Sequence, residues 1–300
     1  MTLFPKRWIA LVSLSVLLLL TACQGDTDEE TADEEENDGA NITEVVGIEP
    51  GSGTMTIAQE AIDAYDLDVE LTPSSEPAML TELENAIENE EPIVVTLWQP
   101  HWMFTKHDLK FLEDPEETLG EAENIHTMVR EELEDDHPSA FALLDNFYWE
   151  VEDMNEVMAK FGEDESVEPR DAAQEWIDDH PDKVAKWTEG IDPVDGDTVE
   201  LAYVHWDTEL SSTNVVALVL EDLGYNVELT PLDMGIAFES LAEGNIDGML
   251  IAWLPVGAAS YKEQYDDVIN DLGPNLEGAE QGFVVPAYMD IDSIDELPTK

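Results

Sequence analysis

Three tryptophans share one kind of position: each closes an apolar run and is followed at once by turn residues. They are Trp98 in PIVVTLW-QP, Trp206 in VELAYVHW-DT and Trp253 in GMLIAW-LP. Apolar runs of this type read as buried strands, and in open α/β sheets ligands bind beyond the carboxyl ends of strands. Tryptophans that only pack helices recur at helical spacing instead. One Trp at a strand end would read as a plug beneath a loop; three at equivalent positions read as an aromatic cage. Such a cage suits a diffuse, weakly hydrated cation, a quaternary ammonium, at up to about 2 kcal/mol per desolvated face. The loop Pro50-Gly51-Ser52-Gly53-Thr54 lies between a short strand and a helix, and its glycines let backbone N–H groups reach an anion. A cation cage beside an anion loop describes a site for a zwitterion.

Other chemistry finds little support. The loop lacks the P-loop spacing and its Lys, and Ser52 does not sit in G-x-S-x-G. No H-E-x-x-H is present. Asp192, Asp195 and Asp197 lack the twelve-residue calcium-loop pattern. A chance carboxylate pair for hydrolysis is not locatable from spacing. Neither catalysis, a metal nor a cofactor is expected.

The elements around these residues alternate. Strands are expected at 44–48, 68–72 and 92–98, with helices at 54–65 and 76–89. Residues 116–187 read as mostly helical, with Trp149, Trp176 and Trp187 in a core. The segment Gly190-Ile191-Asp192-Pro193-Val194-Asp195-Gly196 reads as an inter-lobe linker. After it come strands at 199–206, 225–232, 248–253 and 282–288, and helices at 213–223, 234–243 and 259–270, with 207–212 a loop. This pattern predicts a two-lobed α/β protein in which each lobe is a mostly parallel sheet flanked by helices. Residues 42–190, with a return at about 287–300, would form one lobe and 196–286 the other.

The charge is extreme: 11 Lys+Arg against 72 Asp+Glu give a net −61. Nucleic acid and basic-patch docking to anionic lipid are excluded, because both need a cationic footprint. Self-repulsion on this scale strains a compact fold at low salt. At about 1 M salt the Debye length is only about 3 Å, so the composition fits an outward-facing protein in a saline medium. One Cys in 300 residues excludes a disulfide framework.

That Cys has a specific context. Lys6 and Arg7 precede an apolar run from Trp8 to Leu20, which ends in Leu20-Thr21-Ala22-Cys23. The run matches a signal-peptide core, so 1–22 is expected to be removed. Small residues before Cys23 resemble a lipobox, which makes Cys23 a lipid anchor to the outer face of the membrane. Residues 23–41, with nine acids, no base and no bulky apolar side chain, are expected to be a disordered tether.

From about residue 42 onward the chain resembles the glycine betaine-binding proteins of the OpuAC type, which serve bacterial ABC importers. The resemblance rests on GIEPGSGTM (47–55), PIVVTLWQPHWMF (92–104), KFLEDPEETLGEAENIHT (110–127), LAYVHWDTELSSTNVVALVLEDLGY (201–225), AWLP (252–255) and VVPAYMDIDSIDEL (284–297). Their order resembles the circularly permuted form. The resemblance implies a type II periplasmic-binding-protein fold and a monomer that delivers its ligand to a permease with its ATPase. It also implies a Trp prism from Trp98, Trp206 and Trp253, with the amides of Gly53 and Thr54 on the carboxylate. One position departs: the family's carboxylate-binding His, five residues after the third Trp, is Ala258 here. His101 is the candidate substitute. His205 should point away from Trp206 at strand alternation. Ala258 also opens an alternative, the same scaffold tuned to choline or carnitine.

Overall fold

The computed structural model describes residues 41–120, 122–164 and 166–300. The expected signal peptide, Cys23 and nearly all of the expected tether lie outside the described residues.

Five strands and three helices fill the first part. Strand β1 (Glu44–Val46) leads to α1 (Gly53–Ala64), β2 (Glu70–Thr72), α2 (Glu76–Asn89), β3 (Val95–Gln99), α3 (Met103–Lys106), β4 (Leu109–Phe111) and β5 (Glu123–Arg130). Helices α4 (Leu133–Asp136), α5 (Pro138–Asn146), α6 (Val151–Glu163), α7 (Pro169–Asp179) and α8 (Pro181–Trp187) follow. The rest runs β6 (Thr198–Tyr203), α9 (Asp207–Asp222), β7 (Asn226–Pro231), α10 (Met234–Ala242), β8 (Gly248–Leu254), α11 (Ala259–Tyr265) and β9 (Ile269–Pro286).

The α/β class is the one expected, but the sheet is mixed. Its strand order is β2-β1-β3-β9-β5-β8-β6-β7, with β4 also on β9. The pairs β1–β2, β1–β3, β6–β7 and β6–β8 are parallel. The pairs of β9 with β3, β4 and β5, and of β5 with β8, are antiparallel. The cause is β9, an 18-residue strand that serves two neighbourhoods. Its first part pairs with β5 from Ile269 to Ala279, and its last part with β3 and β4 from Glu280 to Pro286. Sequence reading found only the apolar end of β9, because Asn270-Asp271-Leu272-Gly273-Pro274 carries turn residues where the register shifts.

The division of the chain differs too. The chain leaves the neighbourhood of β1–β4 between β4 and β5, well before residue 190, and returns to it inside β9. Strand β5, missed within a stretch read as helical, belongs beside β8. Helices α6 and α7 pack on α9, so residues 123–187 go with β6–β8. The Gly190–Gly196 segment is not an inter-lobe linker. Val194 N–H donates to Leu223 O at 2.8 Å and Gly196 N–H to Gly224 O at 3.0 Å, pinning it to the end of α9. Gly190 and Gly196 take left-handed φ values of 78° and 80°, which is the turn signal the sequence displayed.

Two buried clusters form the core. One joins Trp98, Trp206 and Trp253 to the apolar faces of α5–α7, α9 and β8. The other packs α1 (Ile57, Ala58, Ala61, Ile62) against Phe283, Val285 and the C-terminal Met289, Ile291 and Ile294.

Candidate functional site

All three strand-end tryptophans meet. Trp98 is the fourth residue of the five-residue β3, Trp206 lies just before α9, and Trp253 is the penultimate residue of β8. The centroid of Trp98 is 5.8 Å from that of Trp206, with planes at 51°, and 6.4 Å from that of Trp253, with planes at 73°. All three are buried. They line a small pocket with Gly53, Thr54, Met234, Gly257 and Gln281. Two of the bounding turns are Trp-X-Pro with a cis peptide, at Gln99-Pro100 and Leu254-Pro255.

One side of the pocket is built on the start of α1. Ser52 caps the helix, its Oγ accepting from Met55 N–H at 3.3 Å. The N–H groups of Gly53 and Thr54 have no acceptor among the described residues; both residues line the cavity. First-turn amides without an acceptor are able to receive an anion. Gly53 is required by proximity: a Cβ there would lie 1.8 Å from Gly257 O. The loop that opens α1 and the loop after β8 are thus in backbone contact across the site.

Glu123 fixes the loop after β8. Its Oε1 accepts from Val256 N–H at 3.0 Å and Gly257 N–H at 2.7 Å, and its Oε2 accepts from Gln281 Nε2. Gln281 Oε1 accepts from Thr54 Oγ at 2.7 Å, so one chain of bonds runs from β5 through β9 to α1. Burial holds the Glu123 carboxyl above its usual range.

His101 does not reach the cavity. It is buried behind the cage, edge-on to Trp98 at 5.5 Å between centroids. Its Nδ1 accepts from Met103 N–H at 3.2 Å, which leaves Nε2 as donor to Glu76 Oε1 at 2.9 Å. Both nitrogens are engaged, and burial pushes its pKa down to about 3. A neutral, fully bonded imidazole behind an indole is a packing element, so His101 is not brought to the site as the substitute donor. Ala258 is buried with its N–H on Trp253 O at 2.7 Å, and His205 is exposed.

Behind the cage lies a layer of acids that local reading did not reveal. Trp206 Nε1 donates to Glu49 Oε2 at 3.0 Å, and Trp253 Nε1 to Glu209 Oε1 at 3.2 Å. Trp102 Nε1 donates to Asp207 Oδ2 at 2.7 Å, and Asp207 N–H to Glu76 Oε2 at 3.0 Å. Burial pushes Glu209 up to about 7 and, with Asp207 nearby, holds Glu76 well above the usual range. Asp207 is also raised by burial. One atom each of Glu76, His101 and Asp207 lie within 4.8 Å of one another, and hydrogen bonds already engage both Glu76 oxygens, both His101 nitrogens and one Asp207 oxygen. Met234, Gly257 and Gln281 were also missed. Each comes from a different element, and no local pattern connects them.

An α/β protein whose strand ends converge on an aromatic cavity, with free helix amides at one side, is a solute-binding protein. The comparisons make this specific. Residues 29–179 and 197–300 match the model of the substrate binding domain of ABC-type glycine betaine transport systems, and the chain belongs to that family. It is 46% identical over 299 residues to the Listeria monocytogenes (serotype 1/2a, strain 10403S) glycine betaine/carnitine transport binding protein GbuC, covering 98% of this chain and 99% of that one. Among solved structures it is similar to lactococcal OpuAC in its closed, glycine betaine-bound form, at 42% identity and a TM-score of 0.47 over 50% of this chain and 61% of that one. It is also similar to the glycine/betaine/L-proline-binding protein ProX of Borrelia burgdorferi, at 35% identity and a TM-score of 0.47 over 49% and 56% of the two chains. The chain thus spans less than two thirds of each of these structures. A protein of this family binds its substrate and does not transform it. Among the described residues no helix is long and apolar enough to cross a membrane.

Proposed function

We propose that this protein captures glycine betaine on the outer face of the cell membrane, held there by lipid on Cys23, and delivers it to an ABC permease with its ATPase for osmoprotection. The observation that carries the reading is the juxtaposition of Trp98, Trp206 and Trp253 with two unpaired helix amides in one cavity. The trimethylammonium head would occupy the space between the indoles, where each desolvated face contributes up to about 2 kcal/mol. The carboxylate would accept from Gly53 and Thr54 N–H. A zwitterion carries no net charge, so a strongly negative protein does not repel it. In a two-lobed type II arrangement, binding energy would favour the closed state that the permease reads.

A second reading is choline or carnitine as ligand: Ala258 favours choline, which carries no carboxylate, and carnitine is named beside glycine betaine for the 46% identical Listeria relative. The carboxylate loses one side-chain donor there, a difference of roughly 1–3 kcal/mol if nothing replaces it. Calorimetric titration of residues 24–300 at high salt, with glycine betaine, choline and carnitine in parallel, separates the two. Binding of glycine betaine with choline silent supports the amide site; choline binding with glycine betaine silent moves the specificity. Silence from all three overturns both readings.

A further inference from the structure

We infer that Glu49 and Glu209 are positioning residues of the cage: their carboxylates hold the indole N–H groups of Trp206 and Trp253 and place negative charge at the N–H edges of two of the three rings. The inference rests on the proposed quaternary ammonium site and adds the residues that set its preference for a cation.

The geometry separates the three indoles. Trp206 and Trp253 each end on a carboxylate oxygen, at 3.0 Å and 3.2 Å, whereas Trp98 Nε1 is buried with no partner among the described residues. Glu49 lies four residues before Gly53, in the loop that presents the anion amides, yet it reaches Trp206 beyond the end of β6. Closing that loop over the site therefore also locks one wall of the cage. Glu209 is fully bonded, its second oxygen accepting from Thr208 Oγ at 2.5 Å. It lies in the first turn of the 16-residue α9, where the helix dipole favours a carboxylate. The ionisable groups around it are Asp207 on the same turn and Glu76 of α2, itself bonded to His101. Among the described residues no Lys or Arg pairs with these acids, and His205 is the base whose charge acts on Asp207, so a ligand cation would add positive charge beside Glu49 and Glu209. An indole that donates to a carboxylate is also more electron-rich at its face, and charge-assisted bonds of this type are roughly twice as strong as neutral ones.

The test is calorimetric titration of glycine betaine into wild type, E49Q, E209Q, E49A and E209A, each at pH 6 and pH 8. Gln keeps an acceptor for the indole and removes the charge; Ala removes both. Burial pushes Glu209 up to about 7. A bound cation favours its ionised form, so wild-type affinity is expected to be several-fold higher at pH 8 than at pH 6. E209Q is expected to abolish that pH dependence and to bind roughly tenfold more weakly at pH 8, with Ala variants weaker still. E49Q is expected to weaken binding several-fold and leave the pH dependence in place. Normal binding by both Gln variants with an unchanged pH profile overturns the inference, whether or not the Ala variants fold. A wild type that binds no quaternary ammonium overturns the site assignment and this inference with it. A wild type that binds, with variants that behave identically, overturns this inference alone.

Discussion

The molecule holds two tryptophan triplets, equally buried and different in kind. Trp98, Trp206 and Trp253 close strands, and their rings bound a cavity. Trp149, Trp176 and Trp187 sit among helices. There Trp149 meets Trp176 edge-on at 5.8 Å, and Trp176 stacks on Trp187 at 5.8 Å and 12° and on His180 at 4.5 Å and 18°. Phe147 fills the remaining space against Trp149 and Trp187. In the helical triplet Trp187 Nε1 donates to Tyr148 O, while Trp149 Nε1 and Trp176 Nε1 lack partners among the described residues. In the strand-end triplet two N–H groups end on acids. Burial alone does not separate the two triplets; their place at strand ends beside a pocket and the acids at their N–H edges do.

The sharpest way to break this contrast is to truncate one ring from each triplet. Trp206→Ala or Trp253→Ala is expected to weaken glycine betaine binding by roughly a hundredfold or more, from the loss of a desolvated cation–π face and its contact area. Trp176→Ala is expected instead to lower stability by about 3–5 kcal/mol while the folded fraction binds normally. Chemical denaturation and calorimetry on the same samples read both effects. Equal effects of the two changes on binding would erase the distinction.

Gly53→Val sharpens the view that the cage works only with the anion loop seated beside it. The added Cβ meets Gly257 O at 1.8 Å, so the two loops must separate. Glycine betaine affinity is expected to fall by at least roughly tenfold, with helix content by circular dichroism unchanged. An unchanged affinity would show that the contact is dispensable.

A smaller effect comes from the acids that distinguish the cage. Burial pushes Glu209 up to about 7 in the folded chain, against about 4.3 when unfolded. The folded state therefore holds the extra proton between those values. The stabilisation this gives is complete below about pH 4.3 and is lost as pH rises through 7. Glu209→Gln removes that loss. It is expected to be more stable than wild type by about 1–3 kcal/mol at pH 8, with the gap closing towards pH 5. Thermal melts at the two pH values check it, and the helical triplet, which has no such acid, gives the control. A gap that widens towards low pH would show that the ionised acid stabilises the fold.

The smallest expected effect is global. Lowering the salt from about 1 M to about 0.15 M lengthens the Debye length from about 3 to about 8 Å. The melting temperature is expected to fall by several degrees, since the net −61 is spread over the surface. A melting temperature independent of salt would remove self-repulsion as a factor.

Local pattern made most elements legible. Helix α2 spans the expected 76–89 because Met79 and Leu83 fall at helical spacing between Pro77 and the left-handed Glu90. Helix α9 begins at Asp207, where a loop was expected to 212; the polar Asp-Thr-Glu-Leu-Ser-Ser stretch carries no periodic signal, and tertiary burial of Thr208, Glu209, Ser211 and Ser212 decides it. Strand β5 was hidden because ENIHTMVR lies in an acidic stretch that reads as helical, and only its neighbours β8 and β9 make it a strand.

The sequence by itself determined the strand-end placement of three tryptophans, the glycine-bearing helix start and the family. These are local properties: they follow from side-chain type, a two-residue or 3.6-residue period and the turn residues that follow. The tertiary structure alone decided which sheet neighbourhood residues 123–187 join, that β9 spans both, and that Met234, Gly257 and Gln281 complete the cavity. It also decided that His101 turns to Glu76, and that Glu49 and Glu209 end on the indoles. Those contacts join residues up to 157 positions apart, and no local period encodes a pairing whose partner is set by how distant strands are ordered in a sheet.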